Sequence, residues 1–196
     1  MTALQLNTSA DWDQFNLAQR GRSVSPTEMT AFRTKVHVAE GDRVLDIGCG
    51  NGMWTRELAK LGLNVTGYDW GEGTVQRARS YPTLFARPTF AVWDVSQDPP
   101  ADIEPGTIDL ITFRYSLATM DPAKVLPICA AMLAPAGQVY VLTDVEHQNI
   151  ERTGIFYPAM RMEEIEGLQA IGAGWGNVDS WSLGLRRAVV LSGYGM

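Results

Sequence analysis

The stretch Val44-Leu45-Asp46-Ile47-Gly48-Cys49-Gly50-Asn51-Gly52 constrains this chain more than any other. An apolar run breaks into three glycines at alternate positions, with an acid just ahead of the first. A short apolar run ending at glycine reads as a strand buried on both faces. Glycines in the turn that follows let the backbone take positive φ and approach closely whatever lies over it. In open α/β sheets, ligands bind beyond the carboxyl ends of the strands. The turn is therefore the first candidate for a binding site, with a ligand-free strand-to-helix turn as the alternative.

The same rhythm continues along the chain. Strands are predicted at 43–47, 64–68, 89–93, 108–113 and 138–143. Residues 53–61 carry Trp54, Leu58 and Leu61 on one helical face. Residues 121–133 open with Asp121-Pro122, an N-cap followed by proline at the first helical position, and stop before Ala134-Pro135-Ala136-Gly137. Alternating strands and helices predict a parallel sheet covered by helices on both faces. Ahead of it, Ser25-Pro26-Thr27-Glu28 is a capping box opening a helix with Met29, Phe32 and Val36 on one stripe. After the fifth strand come an irregular stretch at 145–157, a helix at 158–171, and two strand-like runs at 177–183 and 187–191. Gly184 near the turn between them predicts a closing hairpin at the sheet edge. The expected organisation is a helical segment, 1–40, forming part of a substrate pocket, ahead of a ligand-binding unit, 41–196.

With 196 residues the chain has the size of one ordinary domain. Its formal charge of −6 and its lack of a basic stripe disfavour a nucleic-acid backbone as partner. Cys49 and Cys129 offer neither a disulfide framework nor a zinc spacing, which suits a reducing, cytoplasmic location. The N-terminal residues lack the pattern of a signal peptide, and no run approaches the ~18 apolar residues of a membrane span. No membrane partner is expected.

The ligand follows from details of the turn. A dinucleotide fingerprint is Gly-x-Gly-x-x-Gly. Here the third glycine arrives one residue early, and Met53 stands where that fingerprint wants Gly or Ala. A carboxylate at Asp46 would gain nothing beside a pyrophosphate and suits a cationic ligand. On these residues the chain resembles the class I S-adenosylmethionine-dependent methyltransferases, and the similarity runs in order from about Val44 to about Thr143. The resemblance implies a Rossmann-like, seven-stranded, mostly parallel sheet with an antiparallel last strand. It implies S-adenosyl-L-methionine as cofactor, S-adenosyl-L-homocysteine as product, and no metal.

Site roles are carried over from the family residue by residue. The first motif contributes Asp46, Gly48, Cys49, Gly50 and Gly52. Asp69, at the end of the second strand, would accept from both ribose hydroxyls, because one carboxylate offers two oxygens. Trp70 beside it would stack on adenine. Asp94, after the third strand, would accept from the adenine amine, and the Val95 N–H would meet a ring nitrogen. Thr112 to Arg114 would present backbone to the methionine part, with Arg114 and Tyr115 turned toward the substrate. The family's histidine near the following helix is replaced by Ala118-Thr119, and its Pro-Gly-Gly turn appears as Pro135-Ala136-Gly137. Trp12, Phe15, Arg20, Phe156 and Tyr157 are candidates for substrate contact, and His147, Tyr115 and Arg114 for catalysis.

In-line transfer of a methyl group from a sulfonium requires mainly a well-held nucleophile. The expected partner is a small organic acceptor of aromatic or apolar character, with O, N or C as acceptor atom, and the candidate assembly is a homodimer. The alternatives are a nicotinamide-dependent oxidoreductase and a methyltransferase-like subunit that works by association.

Overall fold

The structure, a computed structural model, describes residues 8–18, 21–82, 88–146 and 159–195. Two helices, α1 (Ser9–Ala18) and α2 (Pro26–Lys35), precede the alternating region. There follow β1 (Arg43–Ile47), α3 (Met53–Ala59), β2 (Asn64–Asp69), α4 (Glu72–Ser80), β3 (Thr89–Val92), β4 (Ile108–Arg114), α5 (Pro122–Met132) and β5 (Leu133–Val145). The chain closes with β6 (Ala159–Met160), α6 (Met162–Gly167), β7 (Trp175–Leu183) and β8 (Arg186–Tyr194).

The sheet runs β3-β2-β1-β4-β5-β8-β7, with the two-residue β6 pairing alongside β5. β1 to β5 are parallel, and β8 runs antiparallel to both β5 and β7. The Rossmann-like expectation, including the antiparallel closing hairpin, holds. Strand order reverses between β1 and β4, and such a switch point opens a crevice at the carboxyl ends.

Strand alternation sorts the core onto the two faces. Leu45, Ile47, Ile111, Phe113, Val139 and Val141 pack with Val125, Leu126, Cys129 and Met132 of α5. Val44, Val65, Leu110, Tyr140 and Leu142 pack with Phe32 and Val36 beside Trp54 and Leu58 of α3. Both faces are thus covered, which is why these strands read as continuous apolar runs.

Two segments depart from the sequence expectation. Residues 158–171 were expected to be one helix. Instead β6 comes first, and α6 starts after Arg161, whose backbone N–H donates to the Glu164 carboxylate at 2.8 Å. β5 begins earlier than expected, at Leu133, and the Pro135-Ala136-Gly137 segment lies within it. The register absorbs the extra residues: Ile108 pairs with Leu133, but Leu110 pairs with Gln138. A Cβ on Gly137 would lie 2.8 Å from the Ile108 carbonyl oxygen, so this irregularity requires glycine.

The capping box at the start of α2 is half formed. The Glu28 N–H donates to Ser25 Oγ at 3.1 Å. The Glu28 carboxylate, fully buried, does not return to the cap. It accepts from Arg114 Nε at 2.6 Å and Nη2 at 3.2 Å, and Arg186 Nη1 lies at 3.4 Å. A charge-assisted bidentate pair outcompetes one backbone N–H.

Candidate active site

A cavity of about 660 Å³ opens at the carboxyl ends of the central strands, where the strand order reverses. Its floor is the glycine turn. Gly48, Gly50 and Gly52 take φ of 68°, 54° and 75°. The Gly48 and Cys49 N–H groups both donate to the Tyr68 carbonyl, at 2.8 and 2.9 Å. Gly50 N–H donates to Asp69 Oδ2 at 3.0 Å. The three glycines serve different neighbours. A Cβ at Gly48 would collide with Ser116, whose hydroxyl is bonded to the Ile47 carbonyl at 2.6 Å. A Cβ at Gly52 would meet the Phe90 ring at 2.5 Å. At Gly50 the nearest group is Asn16 Oδ1 at 3.5 Å, so this glycine faces the cavity.

Three acids border the floor. Asp46 is 1% exposed, and its oxygens accept from Thr55 Oγ1 at 2.6 Å and Thr112 Oγ1 at 3.0 Å. Burial pushes its pKa up to about 6, against the two hydroxyls. It braces β1 against α3 and β4 and lines the cavity. Asp69 accepts from Gly71 N–H at 3.2 Å as well as from Gly50, and burial pushes it up to about 6. Each of its oxygens keeps a second lone pair. For Asp94, burial is outweighed by hydrogen bonds from Ser96, and its carboxyl stays below the ordinary value. Trp70 is 38% exposed on the cavity wall, and Trp93 and Val95 stand beside Asp94.

The opposite wall comes from the N-terminal segment. Trp12 and Phe15 of α1 line the cavity with their rings edge to face, centroids 5.8 Å apart. No residue of α1 is buried. The helix is tied down by Asp13, which accepts from Gly73 N–H at 3.0 Å and from Thr74 N–H and Oγ1, both at 2.7 Å. Asp13 thereby caps α4, whose own N-cap, Gly71, has no side chain. Asn16 Nδ2 adds a bond to Thr74 Oγ1 at 3.2 Å.

Tyr115 is the only non-glycine with positive φ, 63°, among the described residues. Such strain collects at functional positions. Its hydroxyl accepts from Arg186 at 2.9 Å, and the Arg22 guanidinium lies 4.1 Å from its ring centre. Arg114 reaches the wall, and its guanidinium is held by Glu28 and by the carbonyls of Arg22 and Ser23, both at 2.9 Å. Thr112 is not part of the cavity wall; its hydroxyl is spent on Asp46. Gly52 likewise stands behind the wall, against Phe90. Arg20, His147, Phe156 and Tyr157 lie outside the described residues.

Sequence reasoning missed Asp13, Glu28 as an ion-pair partner, and Asn51 and Trp54 on the cavity wall. The last two stand within or just after the glycine motif, so position alone could have flagged them. The first two act on residues far along the chain.

The family model described as "Methyltransferase domain" matches residues 20–173. A ubiquinone biosynthesis O-methyltransferase of Nitrosococcus oceani is 32% identical over 133 residues, covering 67% of this chain and 56% of that protein. One from Pseudomonas aeruginosa is 31% identical with the same coverage. The chain thus spans just over half the length of these relatives. Among solved structures, the complex between the Haloferax volcanii Trm112 methyltransferase activator and the putative methyltransferase gives a TM-score of 0.67 at 18% identity, over 93% of this chain and 97% of that one. Haemonchus contortus phosphoethanolamine N-methyltransferase 2, in complex with S-adenosyl-L-methionine, gives 0.66 at 21% identity, over 91% of this chain and 44% of that one. At these identities the structural likeness speaks for the fold.

Proposed function

Because this chain belongs to the methyltransferase-domain family, we propose that it binds S-adenosyl-L-methionine at the crest of its sheet and methylates a small organic acceptor. One observation carries the reading: Asp69 and Asp94, at the ends of adjacent strands, border one cavity with the cavity-facing glycine Gly50. Asp69 would hold the ribose hydroxyls, Trp70 would cover adenine, and Asp94 with the Val95 N–H would read its edge. The donor set fits a nucleoside bearing a cation, since three carboxylates stand near the floor and no phosphate could gain from them.

When bound, the cofactor supplies a methyl group on a sulfonium, an electrophile activated by its own charge. The chain's part is to hold the acceptor in line and keep water out, and positioning of that kind can be worth roughly 7–11 kcal/mol. Trp12, Phe15 and Tyr115 give the acceptor an aromatic wall. The sequence relatives are O-methyltransferases by name, which supports a hydroxyl acceptor on an aromatic or apolar molecule. A phenol must shed its proton, and His147, just beyond the end of β5, is proposed to take it.

Calorimetry tests the cofactor. S-adenosyl-L-homocysteine is expected to bind and NAD to give no heat; the reverse would make the chain a nicotinamide enzyme. Incubation with methyl-labelled cofactor and fractionated small molecules is expected to label a hydroxylated product. With that substrate, His147→Ala is expected to abolish the pH dependence of turnover; an unchanged profile would remove His147 from the reaction.

A further inference from the structure

The loop after β3 lies at one border of the sheet, where β2 is the only strand beside it among the described residues. It carries Asp94, Val95 and Ser96 to the cavity wall. A carboxylate that reads the edge of a base must be held still, and a loop at a sheet border has few neighbours to hold it. Trp93, 8% exposed at the head of this loop, makes three fastenings. Its backbone N–H donates to the Asp69 carbonyl at 3.0 Å, one residue beyond the last pair of β2 and β3. Its ring packs edge to face on Tyr68, with centroids 5.3 Å apart. Its indole N–H donates to the Asp98 carbonyl at 3.0 Å and so closes residues 93–98 into a ring.

Within that ring the bonds are local. Asp94 Oδ1 accepts from the Ser96 N–H at 2.9 Å, and the Gln97 N–H donates to the Asp94 carbonyl at 2.9 Å. The Gln97 side-chain amide donates to Ser96 Oγ at 3.2 Å. These bonds tie the loop to itself, whereas Trp93 ties it to β2. Tyr68, under the Trp93 ring, is also the residue whose carbonyl accepts from Gly48 and Cys49 in the glycine turn.

We propose that Trp93 is a positioning residue for the cofactor, clamping the Asp94 carboxylate and the Val95 N–H so that the site takes adenine and rejects hypoxanthine. The clamp rests on the cofactor reading above and deepens it. Adenine offers an amine to the carboxylate and a bare ring nitrogen to the N–H. Hypoxanthine offers a carbonyl and a ring N–H, which reverses both. A rigid pair meets the reversed groups unpaired, and a polar site left unpaired rejects its ligand strongly. A loosened loop can turn its carboxylate onto the ring N–H, which admits hypoxanthine and weakens adenine.

The test uses the full chain and displacement of labelled S-adenosyl-L-homocysteine, which reads weak competitors as well as strong ones. The competitors are unlabelled S-adenosyl-L-homocysteine and S-inosyl-L-homocysteine, which differ only at that edge of the purine. Trp93→Phe keeps an aromatic ring near Tyr68 and deletes the indole N–H. In this variant, affinity for the adenosyl compound is expected to fall about tenfold and that for the inosyl compound to change by less than about twofold, so the preference for adenine drops about fivefold or more. Equal loss of both compounds, or no loss of either, would leave Trp93 a core residue with no part in base selection. Hydrogen exchange gives a second measurement that needs no variant. In the unliganded protein the Ser96 and Gln97 amides are expected to be protected, and exchange at open-loop rates would overturn the clamp. If S-adenosyl-L-homocysteine fails to bind the unaltered protein, the cofactor reading falls and the clamp with it. If it binds and the preference is unmoved in Trp93→Phe, the clamp alone falls.

Discussion

At the scale of single residues, the three glycines of the floor look equivalent in sequence and are not equivalent in space. Gly48 abuts Ser116 and Gly52 abuts Phe90, while Gly50 faces the cavity. Alanine at any of them is placed in a left-handed backbone, which costs about 1–2 kcal/mol. At Gly48 and Gly52 a collision adds to that. Gly48→Ala and Gly52→Ala are therefore expected to lower unfolding stability more than Gly50→Ala, read by denaturant titration. Gly50→Ala is expected to lose S-adenosyl-L-homocysteine binding while remaining folded. Asp69 makes a second prediction. Its folded pKa of about 6 lies above its ordinary 3.8, chiefly through burial, so between those values the folded chain binds more protons than the unfolded one. Its contribution to stability is therefore present at low pH and lost as pH rises through 6. The difference in unfolding free energy between the unaltered protein and Asp69→Asn is expected to shift in favour of the unaltered protein as pH falls from about 7.5 to about 5. Ligand affinity moves the other way. A protonated Asp69 is a weaker acceptor for ribose hydroxyls, so calorimetry should show affinity falling below about pH 6.

At the scale of elements, what was legible in the sequence was local or periodic. The runs at 43–47 and 108–113 announced buried strands because helices cover both faces, and Asp121-Pro122 announced α5 because a cap acts within two residues, here Asp121 Oδ1 on Ala123 N–H at 3.0 Å. The strand-end acids were legible because the family places them at fixed points in the same rhythm. What was not legible depends on residues brought together by folding. Glu28 read as a capping residue, yet its partner Arg114 lies 86 positions away. Nothing near Arg114 in sequence showed that its charge would be paired with that buried carboxylate. Glu28→Ala leaves two guanidiniums without their carboxylate, one of them almost fully buried. It is expected to cost about 3–5 kcal/mol in a denaturant titration.

At the scale of the whole molecule, the N-terminal segment divides between the site and the core. α1 buries no residue and is bonded through Asp13 and Asn16 to the start of α4, and it supplies Trp12 and Phe15 to the cavity wall. α2 buries Phe32 against Trp54 and Tyr140, with ring centres 5.0 and 5.1 Å apart, and sends Glu28 to the ends of β4 and β8. One stretch, 1–40, expected from sequence to serve the pocket, thus contains two helices anchored in different ways. Shortening the chain discriminates between them. Removal of residues 1–18 is expected to leave the cooperative unfolding transition in place, because it exposes little apolar core. The same variant is expected to bind S-adenosyl-L-homocysteine more weakly and to release it faster, having lost one wall. Asp13→Ala should reproduce part of this at a cost of about 0.5–2 kcal/mol, the ordinary worth of a helix cap, with amide exchange rising in α1 and in the first turn of α4. Removal of residues 1–40 is expected to abolish folding, since it uncovers one face of the sheet and strands Arg114 without a partner. If the shorter truncation also unfolded, α1 would be core and not wall. If the longer one stayed folded and bound ligand, the division between site and core would lie further along the chain.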